Sequence, residues 1–338
     1  MDAIILVGGQ GTRLRPLTDR RHKSLVPLCN RPFIEYLFEW LAQSGFERAI
    51  LSLGVRNEDL AAAYPPGEHC GIRVEIVQES ERLESSGAIR YAVNEAGIDR
   101  RFVVLNGDVF VDFDFERALA AHETARAELT LALHEVEDPS AFGVAVTNDG
   151  GLITRFVEKP PAGTAPSHAI NAGVWIFERH IVDEIAAGAV RVEETLFPML
   201  VSSARRVLGY RFEGPWEDVG VPSRYRDLNM LLLDRGVRGV AGNAAIAKSA
   251  TIERSAIGAG TTIAGGAVVT NSVLWENIQV GQGARVDGCV IADGAVIGGG
   301  AALTNAVVGS RVVITPGTIV PRGASIATET RYDGADER

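Results

Sequence analysis

A repeat in about the last hundred residues is the feature that most constrains the fold. From Val240 onward, aliphatic residues recur at intervals of six, six and five, so that each row repeats the previous one at a period of 17. The rows are Val240, Ile246, Ile252; Ile257, Ile263, Val269; Leu274, Val280, Val286; Ile291, Ile297, Leu303; and Val308, Ile314, Val320. Hexapeptide spacing with Gly and small residues between the aliphatic positions indicates the stacked coils of a β-helix. We predict this β-helix over residues 239–325 and a polar tail over residues 326–338.

The preceding region, residues 1–238, alternates short apolar runs with segments of helical periodicity. Predicted strands are Ala3–Val7, Ala49–Leu53, Val74–Val77 and Phe102–Leu105, and predicted helices are Phe33–Gln43, Gly87–Glu95 and Phe115–His122. Further strands are predicted at Glu128–Val136, Gly143–Thr147 and Gly173–Phe177. Strand-helix alternation predicts an α/β domain with a mainly parallel sheet. Ligands of such sheets bind beyond the carboxyl ends of the strands.

A glycine-rich loop follows the first predicted strand. Gly8, Gly9 and Gly11 let backbone N–H groups approach a polyanion closely, and Arg13 and Lys23 add positive charge. The spacing of the loop matches neither the G-x-x-x-x-G-K-[ST] phosphate loop nor the G-x-G-x-x-G dinucleotide fingerprint. The loop therefore predicts a phosphate-binding site of another kind.

Composition excludes several classes of function. The formal net charge is −10 and no long block of Lys or Arg occurs, which argues against a nucleic-acid-binding surface. No stretch approaches 18 apolar residues, which argues against a membrane span. The three cysteines, Cys29, Cys70 and Cys289, have neither the even number of a disulfide framework nor the spacing of a zinc site. We predict a cytoplasmic protein.

Five separated motifs, in order, resemble the signature of the sugar-phosphate nucleotidyltransferases, which make NDP-sugars. The motifs are 6–18 with Lys23, 106–108, 156–160, 171–173 and 216–220. One departure is that His22 and Ser24 flank Lys23 where the family usually has prolines. The resemblance implies a Rossmann-like, mainly parallel nucleotidyltransferase domain over residues 1–238, followed by a left-handed β-helix. Residues 6–9 and 27–32 resemble those of mannose-1-phosphate guanylyltransferases more than those of thymidylyltransferases.

The resemblance also assigns roles to individual residues. It implies transfer of a nucleotidyl group from an NTP, best GTP, to a sugar 1-phosphate, best mannose 1-phosphate, with Arg13 and Lys23 catalytic and Mg²⁺ held by Asp108 and Asp218. The implied nucleotide contacts are Leu6, Gly8, Gly9, Gly11, Thr12, Gln78, Glu79, Ser86 and Gly87. The implied contacts of the sugar phosphate are Gly143, Glu158, Lys159, Asn171, Gly173 and Glu193, with Glu194 an alternative to Glu193.

Alternatives remain at this point. The substrate pair can instead be glucose 1-phosphate with dTTP or UTP, and the same plan resembles noncatalytic regulatory subunits. A hexapeptide acyltransferase is disfavoured, because such enzymes use a histidine in the repeat and none of the six histidines follows His180. We expect the β-helix to support a homo-oligomer. Since every implied site residue precedes Val240, we also expect a chain ending near residue 238 to keep detectable activity if it stays soluble.

Overall fold

The computed structural model describes residues 1–55, 57–186 and 188–334, which form two compact units. The first unit contains Met1–Gly9 and Ile34–Glu217, and the second contains Gln10–Phe33 and the chain from Asp218 onward. The boundaries cross two of the motifs, because the glycine-rich loop leaves the first unit after Gly9 and the fifth motif leaves it after Glu217.

A ten-stranded sheet organises the first unit. The strands before the repeat are β1 (Asp2–Leu6), β2 (Pro27–Leu28), β3 (Arg31–Pro32), β4 (Arg48–Leu53), β5 (Gly67–His69), β6 (Ile72–Gln78), β7 (Phe102–Asn106), β8 (Val109–Val111), β9 (Leu129–Glu135), β10 (Gly143–Thr147), β11 (Ile153–Glu158), β12 (Ala169–Phe177), β13 (Val207–Arg211) and β14 (Trp216–Asp218). The main strand order is β11-β10-β12-β7-β1-β4-β6-β5, with β9 pairing β12 and β13.

The centre of this sheet is parallel, as the alternating pattern predicts. Strands β7, β1, β4 and β6 run parallel, with Ile4 opposite both Ile50 and Val104. All three of these side chains are fully buried. Strand β12 pairs antiparallel with β7, β9 and β10 on one side of the parallel centre, and β5 pairs antiparallel with β6 at the opposite edge. The predicted α/β class with a mainly parallel sheet is confirmed.

Six α-helices connect or follow these strands in the described residues: α1 (Phe33–Gln43), α2 (Glu58–Ala63), α3 (Glu84–Glu95), α4 (Phe115–Ala125), α5 (Leu196–Ser202) and α6 (Pro222–Asp234). Single 3-10 turns occupy Thr12–Leu14 and Lys23–Leu25, and a longer one occupies Arg179–Glu184. Helix α1 has the predicted bounds, whereas α3 begins three residues before the predicted Gly87. Within the described ranges, no helix is both long and apolar enough to cross a membrane.

Most of the second unit is a stack of short parallel strands arranged in three sheets. One sheet contains Ala245–Ile246, Thr262–Ile263, Gln279–Val280, Val296–Ile297, Val313–Ile314 and Arg331–Tyr332; the next contains Thr251–Glu253, Val268–Thr270, Arg285–Asp287 and Ala302–Thr304; and the third contains Ala256–Ile257, Val273–Leu274, Val290–Ile291, Val307–Val308 and Ser325–Ile326. Aliphatic residues of the repeat are buried, as Ile263, Val286 and Leu303 illustrate at 1–2% exposure. This architecture is consistent with the predicted left-handed β-helix.

The β-helix extends beyond the predicted end at residue 325, so the predicted tail over 326–338 begins too early. Val308 pairs with Ile326 and Ile314 pairs with Tyr332, a separation of 18 residues instead of 17. The last coil thus contains one additional residue, and a strict period of 17 misses it. The final four residues of the predicted tail lie outside the described residues.

Candidate active site

In the first unit, glycines bring the ends of adjacent strands close together. A Cβ on Gly54, after β4, would lie 2.8 Å from the Cα atom of Gly8, after β1. A Cβ on Gly107, after β7, would lie 2.3 Å from Cγ1 of Val7, and its own N–H donates to the carbonyl of Leu6. The first and second motifs therefore meet at the carboxyl ends of parallel strands, where ligands of such sheets bind.

Glu79 is a buried carboxylate beside this glycine turn. It follows β6, is 6% exposed, and its Oε1 would lie 3.9 Å from a Cβ on Gly8. Burial raises the pKa of Glu79, while the N–H of Leu83, which donates to Oε2 at 3.2 Å, opposes that shift. The neighbouring Gln78 is exposed and donates to the carbonyl of Gly54 at 2.7 Å. Both predicted nucleotide residues thus adjoin the glycine turn.

The start of α3 contains a serine pair whose members differ in environment. Ser85 Oγ donates to Oε2 of Glu193 at 2.9 Å and accepts from the N–H of Val192 at 3.0 Å. Ser86, the serine that the sequence assigned to the nucleotide, is fully buried, and its hydroxyl has no hydrogen-bond partner among the described residues. Its N–H donates to the carbonyl of Val190 at 3.0 Å. The side chain that links α3 to the predicted sugar contact is therefore that of Ser85.

Near the start of α3, Gly87 is limited by the space around it and Glu193 by its burial and the charges nearby. A Cβ on Gly87 would lie 2.8 Å from that of Leu83, so a larger residue cannot enter without displacing the start of α3. Burial raises the pKa of Glu193, the hydrogen bond from Ser85 opposes the shift, and the nearby charge of Glu158 adds to it. Glu158 and Glu193, both predicted to contact the sugar, are therefore electrostatic neighbours, whereas Glu194 is exposed.

Gly143 and Glu158 lie opposite each other on strands β10 and β11. A Cβ on Gly143 would lie 2.7 Å from Oε2 of Glu158 and 2.5 Å from Cζ of Phe156, so glycine leaves room for both side chains. Lys159 places its Nζ 3.3 Å from Oε1 of Glu158, and the lysine side chain is 51% exposed. The structure thus brings together three of the residues that the sequence assigned to the sugar phosphate.

Asn171 and Gly173 form an irregularity in β12. The pairing of β12 with β9 shifts between Asn171 and Trp175, and Gly173 has a φ of 75°. Asn171 Oδ1 accepts from the Gly173 N–H at 3.2 Å and from Nε1 of Trp175 at 2.7 Å. A Cβ on Gly173 would lie 2.8 Å from Nδ2 of Asn106. The second and fourth motifs are therefore in direct contact.

In the second unit, the glycine-rich loop folds back on itself. Gly11 adopts a φ of 61°, and Thr18 Oγ1 donates to its carbonyl at 2.8 Å. A Cβ on Gly11 would lie 3.0 Å from Cβ of Lys23, which places Lys23 against the turn. Thr12 and Arg13 are exposed in the short 3-10 turn that follows. The predicted phosphate-binding groups thus occupy one local loop.

His22 replaces the constraint that a proline would impose before Lys23. Its Nδ1 accepts from the N–H of Ser24 at 3.2 Å and so caps the 3-10 turn Lys23–Leu25. Both His22 and Ser24 are buried. A buried side-chain cap fixes a turn by satisfying a backbone N–H that would otherwise be unpaired. The departure from the family pattern at these positions therefore leaves Lys23 on an ordered turn.

Arg13 and Asp218 converge on Gly220. A Cβ on Gly220 would lie 2.8 and 3.0 Å from the two carboxylate oxygens of Asp218 and 3.0 Å from an Nη atom of Arg13. Asp218 is 15% exposed, and Nη1 of Arg224 lies 3.8 Å from its Oδ2. The absence of a side chain at Gly220 lets an anionic group and a cationic group approach its backbone closely.

The donor groups are suitable for a hard divalent cation. Mg²⁺ prefers oxygen ligands and usually takes one or two protein carboxylates together with substrate phosphates. Asp218 lies against Gly220, and Asp108 is half-buried two residues beyond the end of β7. Over residues 1–55, 57–186 and 188–334, no group of three or more His, Cys, Asp or Glu is arranged to hold a metal ion. Asp108 belongs to the first unit and Asp218 to the second, and each offers a hard oxygen donor.

Three contributors to these sites were absent from the predicted set. Ser86 was predicted and the adjacent Ser85 was not, although both carry the same hydroxyl. Asn57 is 4% exposed and donates from Nδ2 to the carbonyl of Val7 at 2.8 Å, which supports the start of the glycine turn. Gly54 packs against Gly8. The only sequence signal that could have indicated Gly54 is its position directly after the predicted strand at residues 49–53.

Comparisons with known proteins match two family models to this sequence. The family model described as Nucleotidyl transferase matches residues 2–235, and the one described as GlmU-like, C-terminal hexapeptide matches residues 241–332. A mannose-1-phosphate guanylyltransferase of Mycobacterium tuberculosis is 33% identical over 294 residues, which cover 83% of this chain and 81% of that protein. A mannose-1-phosphate guanyltransferase of Gibberella zeae is 39% identical over 231 residues, 67% of this chain and 62% of that protein.

A structural comparison concerns the fold alone. The crystal structure of HddC from Yersinia pseudotuberculosis matches with a TM-score of 0.59 and 24% sequence identity. The match covers 68% of this chain and 99% of that one.

Proposed function

Because the chain belongs to the nucleotidyl transferase family, we propose that it transfers a guanylyl group from GTP to mannose 1-phosphate. The relatives of Mycobacterium tuberculosis and Gibberella zeae carry names that state a mannose-1-phosphate guanylyl or guanyl transfer. In the reaction, a phosphate oxygen of the sugar phosphate forms a bond to the α-phosphorus of GTP. The bond from that phosphorus to the β-phosphate breaks, and pyrophosphate leaves with its electron pair.

The chemistry requires positioning and charge neutralisation more than proton transfer. The second pKa of a phosphate monoester is about 6, so the attacking group is already largely ionised at neutral pH. We assign Arg13 to the β- and γ-phosphates, because a guanidinium fork matches phosphate oxygens. Lys23 is assigned to the α-phosphate and Lys159 to the phosphate of the sugar. When bound, Mg²⁺ neutralises charge on the triphosphate, and Asp108 and Asp218 are the residues that would hold it.

The sugar assignment is supported by the cluster in the first unit. Glu158 and Asn171 offer hydrogen-bonding groups for hydroxyls, and the ion pair between Glu158 and Lys159 places an acceptor next to a phosphate-binding cation. Gly143 leaves the room that the carboxylate of Glu158 occupies on the neighbouring strand. Ser85 orients Glu193, which adds a further carboxylate to this region.

The buried carboxylate of Glu79 is the observation that carries the choice of guanine. Guanine presents N1–H and N2–H₂ donors, which match a carboxylate acceptor, whereas uracil and thymine present a single ring N–H between two carbonyls. Burial destabilises the charged form of Glu79, so two N–H donors would offset a cost already present in the fold. A site built on such hydrogen bonds rejects a base that leaves its buried group unpaired.

A panel of GTP, ATP, CTP, UTP and dTTP, crossed with mannose, glucose and heptose 1-phosphates, tests the proposal through pyrophosphate release. We expect GTP with mannose 1-phosphate to exceed every other nucleotide by at least about tenfold in kcat/KM. Glu79→Gln should narrow that preference, whereas Glu81→Gln, at an exposed position of the same loop, should preserve it. Preference for dTTP or UTP with glucose 1-phosphate would refute guanylyl transfer, and no turnover with any pair would favour a regulatory subunit.

We also propose a cytoplasmic homo-oligomer that associates through the β-helix. Burial raises the pKa of the Cys29 and Cys289 thiols to about 12, which fits unreactive thiols in a reducing compartment. The first coil leaves Ile246 and Ile252 only partly buried. An incompletely covered end of a stacked repeat favours association. Light scattering after gel filtration measures the oligomeric state, and a monomer over the micromolar range would refute it.

A further inference from the structure

The glycine-rich loop is anchored to the β-helix within the second unit. Gln10–Phe33, the segment that contains Arg13 and Lys23, belongs to the same compact unit as the repeat. Nη2 of Arg21 lies 2.9 Å from Oδ2 of Asp293, and the Arg21 guanidinium lies 5.1 Å from the centre of the Trp275 ring. The loop thus makes an ion pair and a cation–π contact with two successive coils.

Trp275 interrupts the regularity of the repeat. The corresponding position in other coils, directly after the inward aliphatic residue, contains Gly258, Ala292 or Gly309. Trp275 is nevertheless only 1% exposed. A large aromatic side chain in a column of small residues needs partners outside the repeat to cover it, and Arg21 and Tyr225 supply them.

A second chain of contacts reaches the loop beyond Lys23. Nε1 of Trp275 donates to the hydroxyl oxygen of Tyr225 at 2.9 Å, and the Tyr225 hydroxyl donates to the carbonyl of Pro27. Tyr225 is fully buried, and burial raises its pKa, so the hydroxyl stays protonated and able to donate. Trp275 is therefore connected to Arg21, two residues before Lys23, and to Pro27, four residues after it.

Asp293 is itself fixed by the neighbouring coil. Its Oδ1 accepts from the N–H of Glu276 at 3.1 Å, while its Oδ2 faces Arg21. The Arg21 and Asp293 side chains are 27% and 30% exposed, so their ion pair is partly shielded from solvent. Arg21 is consequently directed toward the β-helix, and its charge is matched locally.

From these contacts we infer that Trp275 and Asp293 are positioning residues, which hold the Arg21–Pro27 segment so that Lys23 is aimed at the reacting phosphate. The inference rests on the proposed nucleotidyl transfer. The β-helix then acts on catalysis through Lys23 without touching a substrate. A misplacement of about 1 Å in a positioned group can cost about a hundredfold in rate.

Asp293→Asn is the principal test, because the amide oxygen can still accept from the Glu276 N–H while the charge opposite Arg21 is lost. Asp234→Asn is the matched control, since Asp234 forms another ion pair with a β-helix residue, Arg254, at 2.6 Å. We expect Asp293→Asn to lower kcat for pyrophosphate release at least tenfold, with an unchanged KM for the sugar phosphate. Asp234→Asn should leave both constants near the wild-type values.

A Lys23→Ala background separates positioning from general stabilisation. If Asp293 acts through Lys23, Asp293→Asn should cause little further loss of kcat in that background. An equal fractional loss in both backgrounds, or a wild-type kcat in Asp293→Asn, would overturn the inference while leaving the proposed function intact. Trp275→Phe, which keeps a ring for Arg21 and removes the donor to Tyr225, should give an intermediate kcat. Absence of turnover in the wild-type protein would overturn the proposed function and this inference together.

Discussion

Gly220→Ala is expected to impair catalysis without unfolding the protein. The added Cβ would lie 2.8 Å from Oδ1 of Asp218 and 3.0 Å from an Nη atom of Arg13, whereas ordinary contacts begin at 3.4 Å. The carboxylate oxygen must therefore move by about 0.6 Å, the difference between 3.4 and 2.8 Å. Since a displacement of about 1 Å can cost about a hundredfold in rate, we expect kcat to fall about ten- to a hundredfold, or about 1.4–2.7 kcal/mol in the activation barrier.

The same geometry predicts a small effect on stability. The crowded atoms are the ends of two side chains, and Gly220 does not have a positive φ, so alanine fits the backbone. A compatible Gly→Ala change reduces the entropy of the unfolded chain and stabilises by about 0.4–1 kcal/mol. The control is Gly242→Ala, whose Cβ would meet no atom closer than 3.9 Å.

Steady-state pyrophosphate release and thermal melting together measure the outcome. A wild-type kcat in Gly220→Ala would show that the positions of Arg13 and Asp218 next to Gly220 do not matter for the reaction. A similar loss of kcat in Gly242→Ala, or a melting temperature lowered by several degrees in Gly220→Ala alone, would attribute the loss to folding and refute the reasoning.

Three further predictions concern metal, core and pH. Asp108→Asn and Asp218→Asn should each lower Mg²⁺-dependent turnover by orders of magnitude with little change in melting temperature, and near-normal pyrophosphate release would contradict the assignment. Ile263→Asp would bury an unpaired carboxylate at a position that is 2% exposed and should cost several kcal/mol in the free energy of unfolding, measured by urea denaturation. The hydrogen bond from Arg205 lowers the pKa of Glu128 to about 2, so Glu128 stabilises the fold above its usual pKa of 4.5, and this contribution is lost as the pH falls from 4.5 toward 2. Because the side chains of Glu128 and Arg205 are both partly exposed, we expect Glu128→Gln to lower the free energy of unfolding by about 1–2 kcal/mol at pH 7 and by much less near pH 2. An equal loss at both pH values would contradict this prediction.

Local sequence patterns predicted those helices and strands whose apolar residues recur at a regular spacing. Helix α1 has the predicted bounds because its apolar residues recur at helical spacing, and the β-helix follows from a spacing that repeats in each coil. Strands Ile153–Glu158 and Val207–Arg211 were not predicted. The first alternates buried and exposed positions only in part, and the second contains Gly209 at its centre, so neither presents a clean strand pattern.

Contacts between segments that are far apart in the sequence could not be predicted from local patterns. Ser85 and Glu193 are 108 residues apart, and neither residue indicates its partner. His22 illustrates a different limit, since the sequence shows only that the usual proline is missing, whereas the structure supplies a buried side-chain cap. The motif glycines were predictable as sites of close approach, but the atoms that approach Gly143 and Gly220 emerged only from the fold.

The expectation that a chain ending near residue 238 keeps detectable activity depended only on the fact that every predicted site residue precedes Val240. Such a chain would retain those residues, but it would lack both Trp275 and Asp293, the partners of Arg21. It would also lose the carbonyls of Gly239 and Ile257, to which Asn30 Nδ2 donates at 2.6 and 3.1 Å. Because the hydrogen bonds and the ion pair that order the loop end on the repeat, removing the repeat changes the environment of Lys23 even though no substrate contact is deleted. The contacts of Arg21 and Asn30 therefore make the β-helix a structural support for the loop that contains Lys23.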